Sequence, residues 1–165
     1  MELSQFMSSA EELAKIIWPI KNNIKLVDLV LRGSVARKVQ NPVDLDMIII
    51  HSNQCLDEFQ DLLREKKFTT PQEAFYYLVQ ITKEGIDLSR LFAGSSIEKL
   101  ISKNLFHTSY MNTKYFTDLE YKKKWDSKNK PEFLKSIFSE GILWNPATKK
   151  YDIQISRKYS ITKQP

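Results

Sequence analysis

Two short apolar runs follow a helical pattern near the start of the chain. Hydrophobic side chains recur every three or four positions from residue 3 to 18, which predicts an amphipathic helix that ends at or kinks around Pro19. The apolar runs at 27–31 and 43–51 predict two strands. Because the second run is continuously apolar from 47 to 50, it is typical of a central strand that is buried on both faces.

The rest of the chain adds further helices and two hairpins. Helices are expected at 55–66, 95–104 and 132–138, and the hairpins pair 73–83 with 86–92 and 141–145 with 151–156. This order of elements predicts an α+β domain with a small mixed or mostly antiparallel sheet that is backed by helices.

The composition is that of a folded domain with its own core. The chain has 165 residues, of which 42% are hydrophobic and 12% aromatic, so it provides one domain or one domain with an appendage. No apolar run is long enough to span a bilayer, and the first residues lack the pattern of a signal peptide. One cysteine and two histidines exclude an internal disulfide and a cysteine–histidine zinc cluster. We therefore expect a cytoplasmic protein without a membrane partner.

Positive charge accumulates in the second half of the chain. The formal net charge is +5, and residues 1–98 are close to neutral, so the excess lies from Lys99 onward. This distribution predicts a core at 1–98 and a basic C-terminal extension of helices and a hairpin at 99–165, packed on that core. A basic extension favours a polyanionic partner, although many ordinary domains are equally basic.

Two aspartates at the start of the second predicted strand are the main candidates for chemistry. Side chains alternate along a strand, so Asp44 and Asp46 point to the same face. Paired carboxylates can hold Mg²⁺ ions that clamp the attacking and leaving oxygens of a phosphoryl transfer. Gly33 and Ser34 follow the first strand, where a glycine lets the backbone approach a phosphate closely. Asp87, on the predicted hairpin, is the candidate for a third ligand and proton acceptor.

The conjunction of Gly33-Ser34, Asp44-Leu45-Asp46 and the later Asp87 resembles the nucleotidyltransferase superfamily that includes DNA polymerase beta. The resemblance covers about residues 26–92 and implies a palm-like sheet with the carboxylates on its open face. It further implies that Asp44, Asp46 and Asp87 bind two Mg²⁺ ions, with Mn²⁺ as a substitute, and carry the catalysis. Gly33, Ser34 and Arg37 would bind the nucleoside triphosphate.

Two kinds of acceptor for the transferred nucleotide are compatible with the sequence. The order Phe106-His107-Thr108, then Lys122, Lys123 and Lys124, then a Gly-containing hairpin is similar to that of small family X polymerases and terminal transferases. This similarity implies that residues 106–108 lie near the sugar, that the three lysines contact nucleic-acid phosphates, and that aromatic rings stack on bases. The bland alternative is that the rings belong to the core and that the lysines are merely solvated.

A second similarity points to a protein acceptor. The segment at 133–144, an apolar helix followed by Glu140-Gly141 and an aromatic residue, is similar to the end of the minimal nucleotidyltransferases of toxin–antitoxin pairs, which modify a partner protein. A third interpretation is a degenerate palm that binds or scaffolds without catalysis, and the presence of all three acids argues against it.

Overall fold

A five-stranded mixed sheet backed by helices organises the protein. The computed structural model describes residues 1–52, 54 and 92–159. The strands are β1 (Leu26–Arg32), β2 (Leu45–His51), β3 (Phe106–Asn112), β4 (Ile142–Asn145) and β5 (Lys150–Gln154). The helices are α1 (Leu3–Ile17), α2 (Gly33–Ala36), α3 (Ser96–Ser102), α4 (Leu119–Asp126), α5 (Pro131–Glu140) and α6 (Ile155–Lys158), with 3-10 turns at Trp18–Ile20 and Thr113–Phe116. The predicted α+β class with a mixed sheet is confirmed.

The order of the strands is β3-β2-β1-β4-β5. β1 is antiparallel to both β2 and β4, β4 is antiparallel to β5, and β2 is parallel to β3. The two early strands and the late hairpin were predicted from their apolar runs, whereas β3 was not. The strands come from both sides of residue 98, so the predicted core and the predicted extension contribute to one sheet.

The first hydrophobic core lies between one face of the sheet and α1. Leu31 and Met47 point from the sheet toward this core. Helix α1 packs against them through a stripe of buried residues at helical spacing, Phe6, Ala10, Leu13, Ala14 and Ile17. The helix ends at Ile17, two residues before Pro19, and the chain continues through a 3-10 turn. The predicted boundary at this proline is therefore confirmed.

The second core covers the opposite face, the one that carries Asp46. Val30 and Ile48 are register partners, and Asp46 lies two residues before Ile48, so the three side chains share this face. The C-terminal elements pack on it through a cluster of buried residues, Met111, Tyr115, Phe116, Trp125, Leu134, Ile137, Leu143, Ile155 and Tyr159. The open face implied by the family resemblance is therefore covered along the strand interiors, and Asp46 lies at the margin of the cover.

A buried carboxylate fastens the end of the described chain to the central strand. Asp28 of β1 is almost fully buried, and it accepts hydrogen bonds from the Tyr159 hydroxyl and from Lys158 Nζ at 3.0 Å. Since a buried charge is costly unless it is paired, these bonds hold α6 against the second core.

The remaining predicted elements divide into two groups. The helices predicted at 95–104 and 132–138 are confirmed as α3 and α5, and Ser95 caps α3 by accepting a hydrogen bond from the Glu98 amide. The helix predicted at 55–66 and the hairpin predicted at 73–92 lie outside the described residues, except for buried Phe92. None of the helices in the described part of the chain is both long and apolar enough to cross a bilayer.

Candidate active site

Asp44 and Asp46 lie side by side at the beginning of β2, as the strand alternation predicts. Asp46 is the second residue of β2 and is half-buried, and its carboxyl group is hydrogen-bonded to that of Asp44. Burial and then the negative charge of Asp44 raise the pKa of Asp46 to about 6, while the positive charges of Arg32 and His107 act in the opposite direction. Two acids held this closely together favour a shared proton or a bound cation.

Gly33 brings the backbone of the turn after β1 directly against this pair. Its φ is +76°, and a Cβ atom at this position would lie 2.6 Å from Asp46 Oδ2. A side chain is therefore excluded both by the backbone conformation and by the neighbouring carboxylate. The adjacent Ser34 hydroxyl oxygen is buried and has no hydrogen-bond partner among the described residues. The predicted Gly-Ser turn is thus in contact with the predicted acids.

A third carboxylate, which the sequence did not suggest, occupies the anion-binding groups of this turn. Glu140, the last residue of α5, accepts a hydrogen bond from the Gly33 amide at 3.2 Å and one from Arg37 Nη1 at 2.8 Å. These are two of the groups that the resemblance assigned to the triphosphate. The sequence pattern at Glu140-Gly141 indicates only a helix end and a family-like segment, and it does not predict this contact with the turn.

His107 lies beside the carboxylates on the neighbouring parallel strand. It is the register partner of Asp46, and its Nε2 atom is 3.3 Å from Asp44 Oδ2. The resemblance implies that Phe106 and His107 lie near the sugar of the nucleotide. Phe106 is fully buried in the first core and cannot contact a ligand, whereas the His107 side chain is exposed beside the carboxylates. The other histidine, His51, is buried at the far end of β2, where desolvation lowers its pKa to about 4.

The donor set fits a divalent cation held by two carboxylates. No group of three or more histidine, cysteine, aspartate or glutamate side chains forms a metal-binding cluster within residues 1–52, 54 and 92–159. Mg²⁺ is commonly bound by only one or two carboxylates, with water and substrate phosphates completing its shell. Burial is the main cause of the raised pKa of Asp46 and the charge of Asp44 the second, and a bound cation would relieve this repulsion between the two carboxylates. Asp87, the third predicted ligand, lies outside the described residues.

The three predicted nucleic-acid lysines on α4 differ in their surroundings. Lys122 Nζ is 2.7 Å from Asp126 Oδ2 and lies over the Tyr115 ring, and its side chain is only 13% exposed. Lys123 and Lys124 are exposed. The structure therefore leaves two of the three lysines available to a polyanion.

The aromatic residues around α4 are part of the second core. Tyr115, Phe116 and Trp125 are buried and pack against each other, with ring centroids 5.1 and 5.3 Å from Tyr115. Of the two interpretations of these rings, core packing is confirmed for these three. They offer no stacking surface to bases.

The carboxylate pair, the glycine turn, Arg37 and Glu140 thus meet at one end of the β1–β2 pair. No protein-family model matches the chain, and no curated protein matches its sequence at a significant level. The case for a function therefore depends on the geometry of this site.

Proposed function

We propose that the protein is a metal-dependent nucleotidyltransferase that moves a nucleoside monophosphate from a nucleoside triphosphate to a hydroxyl acceptor and releases pyrophosphate. The observation that carries this proposal is the adjacent pair of Asp44 and Asp46, with Asp46 packed against the positive-φ glycine of a strand–turn–strand unit. A carboxylate pair against a backbone turn suits phosphate chemistry, since it can hold cations while the turn admits a phosphate chain.

The residues of the site have distinct tasks in this reaction. The acceptor oxygen attacks the α-phosphorus, the bond from this phosphorus to the bridging oxygen of the β-phosphate breaks, and the hydroxyl proton passes to a carboxylate. Asp44 and Asp46 would hold Mg²⁺, which supplies charge neutralisation to the reacting phosphates when it is bound. Asp87 is proposed as the third ligand and the proton acceptor, as the family resemblance implies.

Glu140 bears directly on how the triphosphate enters. Its carboxylate already accepts the hydrogen bonds of the Gly33 amide and of Arg37. A triphosphate that used these two donors would have to displace Glu140, so nucleotide binding is coupled to the end of α5. The cost of this exchange is lowered because one anion replaces another at the same donors.

The acceptor is proposed to be a nucleic-acid 3′-hydroxyl in the first instance. Lys123 and Lys124 are exposed on α4 within the basic half of the chain, and lysines of this kind contact phosphates without regard to sequence. A hydroxyl group of a partner protein is the second candidate. The burial of the aromatic rings and the engagement of Lys122 favour it, because both reduce the surface that a single strand would need.

A transfer assay tests the activity. The protein is incubated with an α-labelled nucleoside triphosphate, Mg²⁺, and a primed DNA, an RNA or a cell extract, and the labelled product is identified. We expect a labelled acceptor with the unchanged protein and none with Asp44→Ala or Asp46→Ala, whereas Asp152→Ala, an exposed acid on β5, retains the activity. Undiminished transfer by both site variants, or nucleotide binding without transfer to any acceptor, would contradict the proposal.

A further inference from the structure

Arg32 is a cation at the candidate site that has no carboxylate partner in the described part of the chain. It is the last residue of β1, the register partner of Asp46 and the neighbour of Gly33. Side chains of register partners share a face of the sheet, so the guanidinium group lies on the same side as the carboxylates. No described aspartate or glutamate oxygen lies within ion-pair distance of it. Arg37, by contrast, is already paired with Glu140.

Helix α5 holds the Arg32 side chain in place. The guanidinium carbon lies 5.0 Å from the centre of the Phe133 ring, and Nη1 donates to Ser136 Oγ at 3.4 Å. A guanidinium group over an aromatic face keeps its charge and loses little entropy when it later binds an anion. Phe133, Ser136 and Glu140 therefore form one side of α5 that faces the Arg32–Arg37 segment.

The hydrogen-bonding capacity of Arg32 is only partly used. Its Nε atom is buried and donates to no described residue. Arg32 as a whole is half-buried and lies near Asp46, but a buried donor atom without an acceptor is costly. An anionic ligand that entered the Gly33-Ser34 turn would supply the missing acceptor.

We propose that Arg32 binds the polyphosphate of the nucleoside triphosphate, next to the Gly33-Ser34 turn. This inference deepens the proposed function and depends on it. Arginine suits this task better than lysine because its planar fork can make two parallel hydrogen bonds to one phosphate. Arg37 is already paired with Glu140, whereas no described carboxylate forms an ion pair with Arg32, so the charge of Arg32 is the one that a phosphate can take up without displacing Glu140.

Equilibrium binding distinguishes this role from a merely structural one. The probes are a non-hydrolysable α,β-methylene analogue of ATP, inorganic tripolyphosphate and AMP, each with Mg²⁺ and titrated by calorimetry. Arg32→Met is expected to weaken binding of the analogue and of tripolyphosphate at least about tenfold, the loss that follows removal of a charged hydrogen bond, and to leave AMP nearly unaffected. Arg32→Lys, which keeps the charge but not the fork, should fall between the two.

Two further variants serve as a control for charge and as a milder test of the Arg32 position. Lys135→Met removes an exposed cation from the same helix α5 and should bind all probes as the unchanged protein does. Ser136→Ala releases Nη1 without altering any charge and should weaken triphosphate binding modestly, even if Arg32→Met does not fold.

The outcomes separate the two proposals. If the unchanged protein binds the analogue and a folded Arg32→Met variant binds it equally well, Arg32 is not a phosphate ligand and the proposed function stands. An equal loss of AMP and analogue would assign Arg32 a structural role instead. If the unchanged protein binds none of the probes, the proposed function fails, and the inference on Arg32 fails with it.

Discussion

Replacing Asp46 with asparagine should stabilise the protein when divalent cations are absent. The structure places this carboxyl group half-buried beside Asp44, which raises its pKa from the ordinary 3.8 to about 6. A shift of this size corresponds to about 3 kcal/mol at neutral pH if all of it acts on stability. Because the side chain remains in partial contact with water, screening reduces the expected gain to about 1 kcal/mol.

The pH dependence follows from the direction of the shift. Between pH 4 and pH 6 the folded state holds a proton on Asp46 that the unfolded state has lost, so the stability of the unchanged protein falls as the pH rises through this window. Asp46→Asn cannot lose that proton. The difference in stability between the two proteins should therefore be close to zero at pH 4 and complete by pH 7.

Urea denaturation in a chelating buffer, followed by tryptophan fluorescence, measures this difference. Thermal unfolding in the same buffer should show the gain at pH 7 as a melting temperature about 2–4 °C higher. Added Mg²⁺ should stabilise the unchanged protein and not the variant, which closes the gap. Asp152→Asn, at an exposed acid of β5, should show no gap at either pH. An Asp46→Asn variant that is no more stable at pH 7, or equally more stable at pH 4, would refute the account of the carboxylate pair.

Three further variants test other parts of the site. Gly33→Ala should lower the free energy of unfolding by about 1–2 kcal/mol more than Gly94→Ala does. Both glycines have a positive φ, but only at Gly33 would the new Cβ atom meet a carboxylate. Equal losses of stability in urea titrations would contradict this. Glu140→Gln should bind the ATP analogue severalfold more tightly in the presence of Mg²⁺, because the anion that competes for Gly33 and Arg37 is gone, while Glu132→Gln in the first turn of α5 should not. Weaker binding would show that Glu140 supports the turn instead. Lys122→Ala should lower the melting temperature, because the ion pair with Asp126 and the contact with the Tyr115 ring are lost. Lys123→Ala should leave the melting temperature unchanged and reduce only the salt dependence of any nucleic-acid binding. The reverse ranking would contradict the surroundings described for the two lysines.

The parts of the fold that could be predicted are those with a strong local pattern. The apolar runs of β1 and β2 and the helical stripe of α1 require only their own residues, because each buries a regular face. β3 escaped prediction because His107, Thr108 and Ser109 give it no clear alternation. Its strand conformation depends on parallel pairing with β2, which no short window of sequence contains.

The same division applies to the candidate site. The alternation of side chains on a strand was sufficient to place Asp44 and Asp46 together, and the glycine preceding Ser34 suggested a close approach of the backbone. The contact of Glu140 with Gly33 joins residues 107 positions apart, so no spacing rule could predict it. For the run of three lysines the local pattern misleads. Its charge suggests solvent exposure of all three side chains, but the helix turns Lys122 toward Asp126 and the core.

The pairing of β1 with β4 has a consequence for how the protein is made. Val30 is the register partner of Leu143, so the central strand keeps one edge unpaired until the ribosome has added more than a hundred further residues. An apolar strand with a free edge is prone to associate with other chains, and such distant pairings form slowly. Glu140 leaves the ribosome just before β4, which means that the last strand to complete the middle of the sheet also delivers the carboxylate that occupies the glycine turn. Folding of the nascent chain around β1 and assembly of its candidate site should therefore be completed together, once β4 has been synthesised.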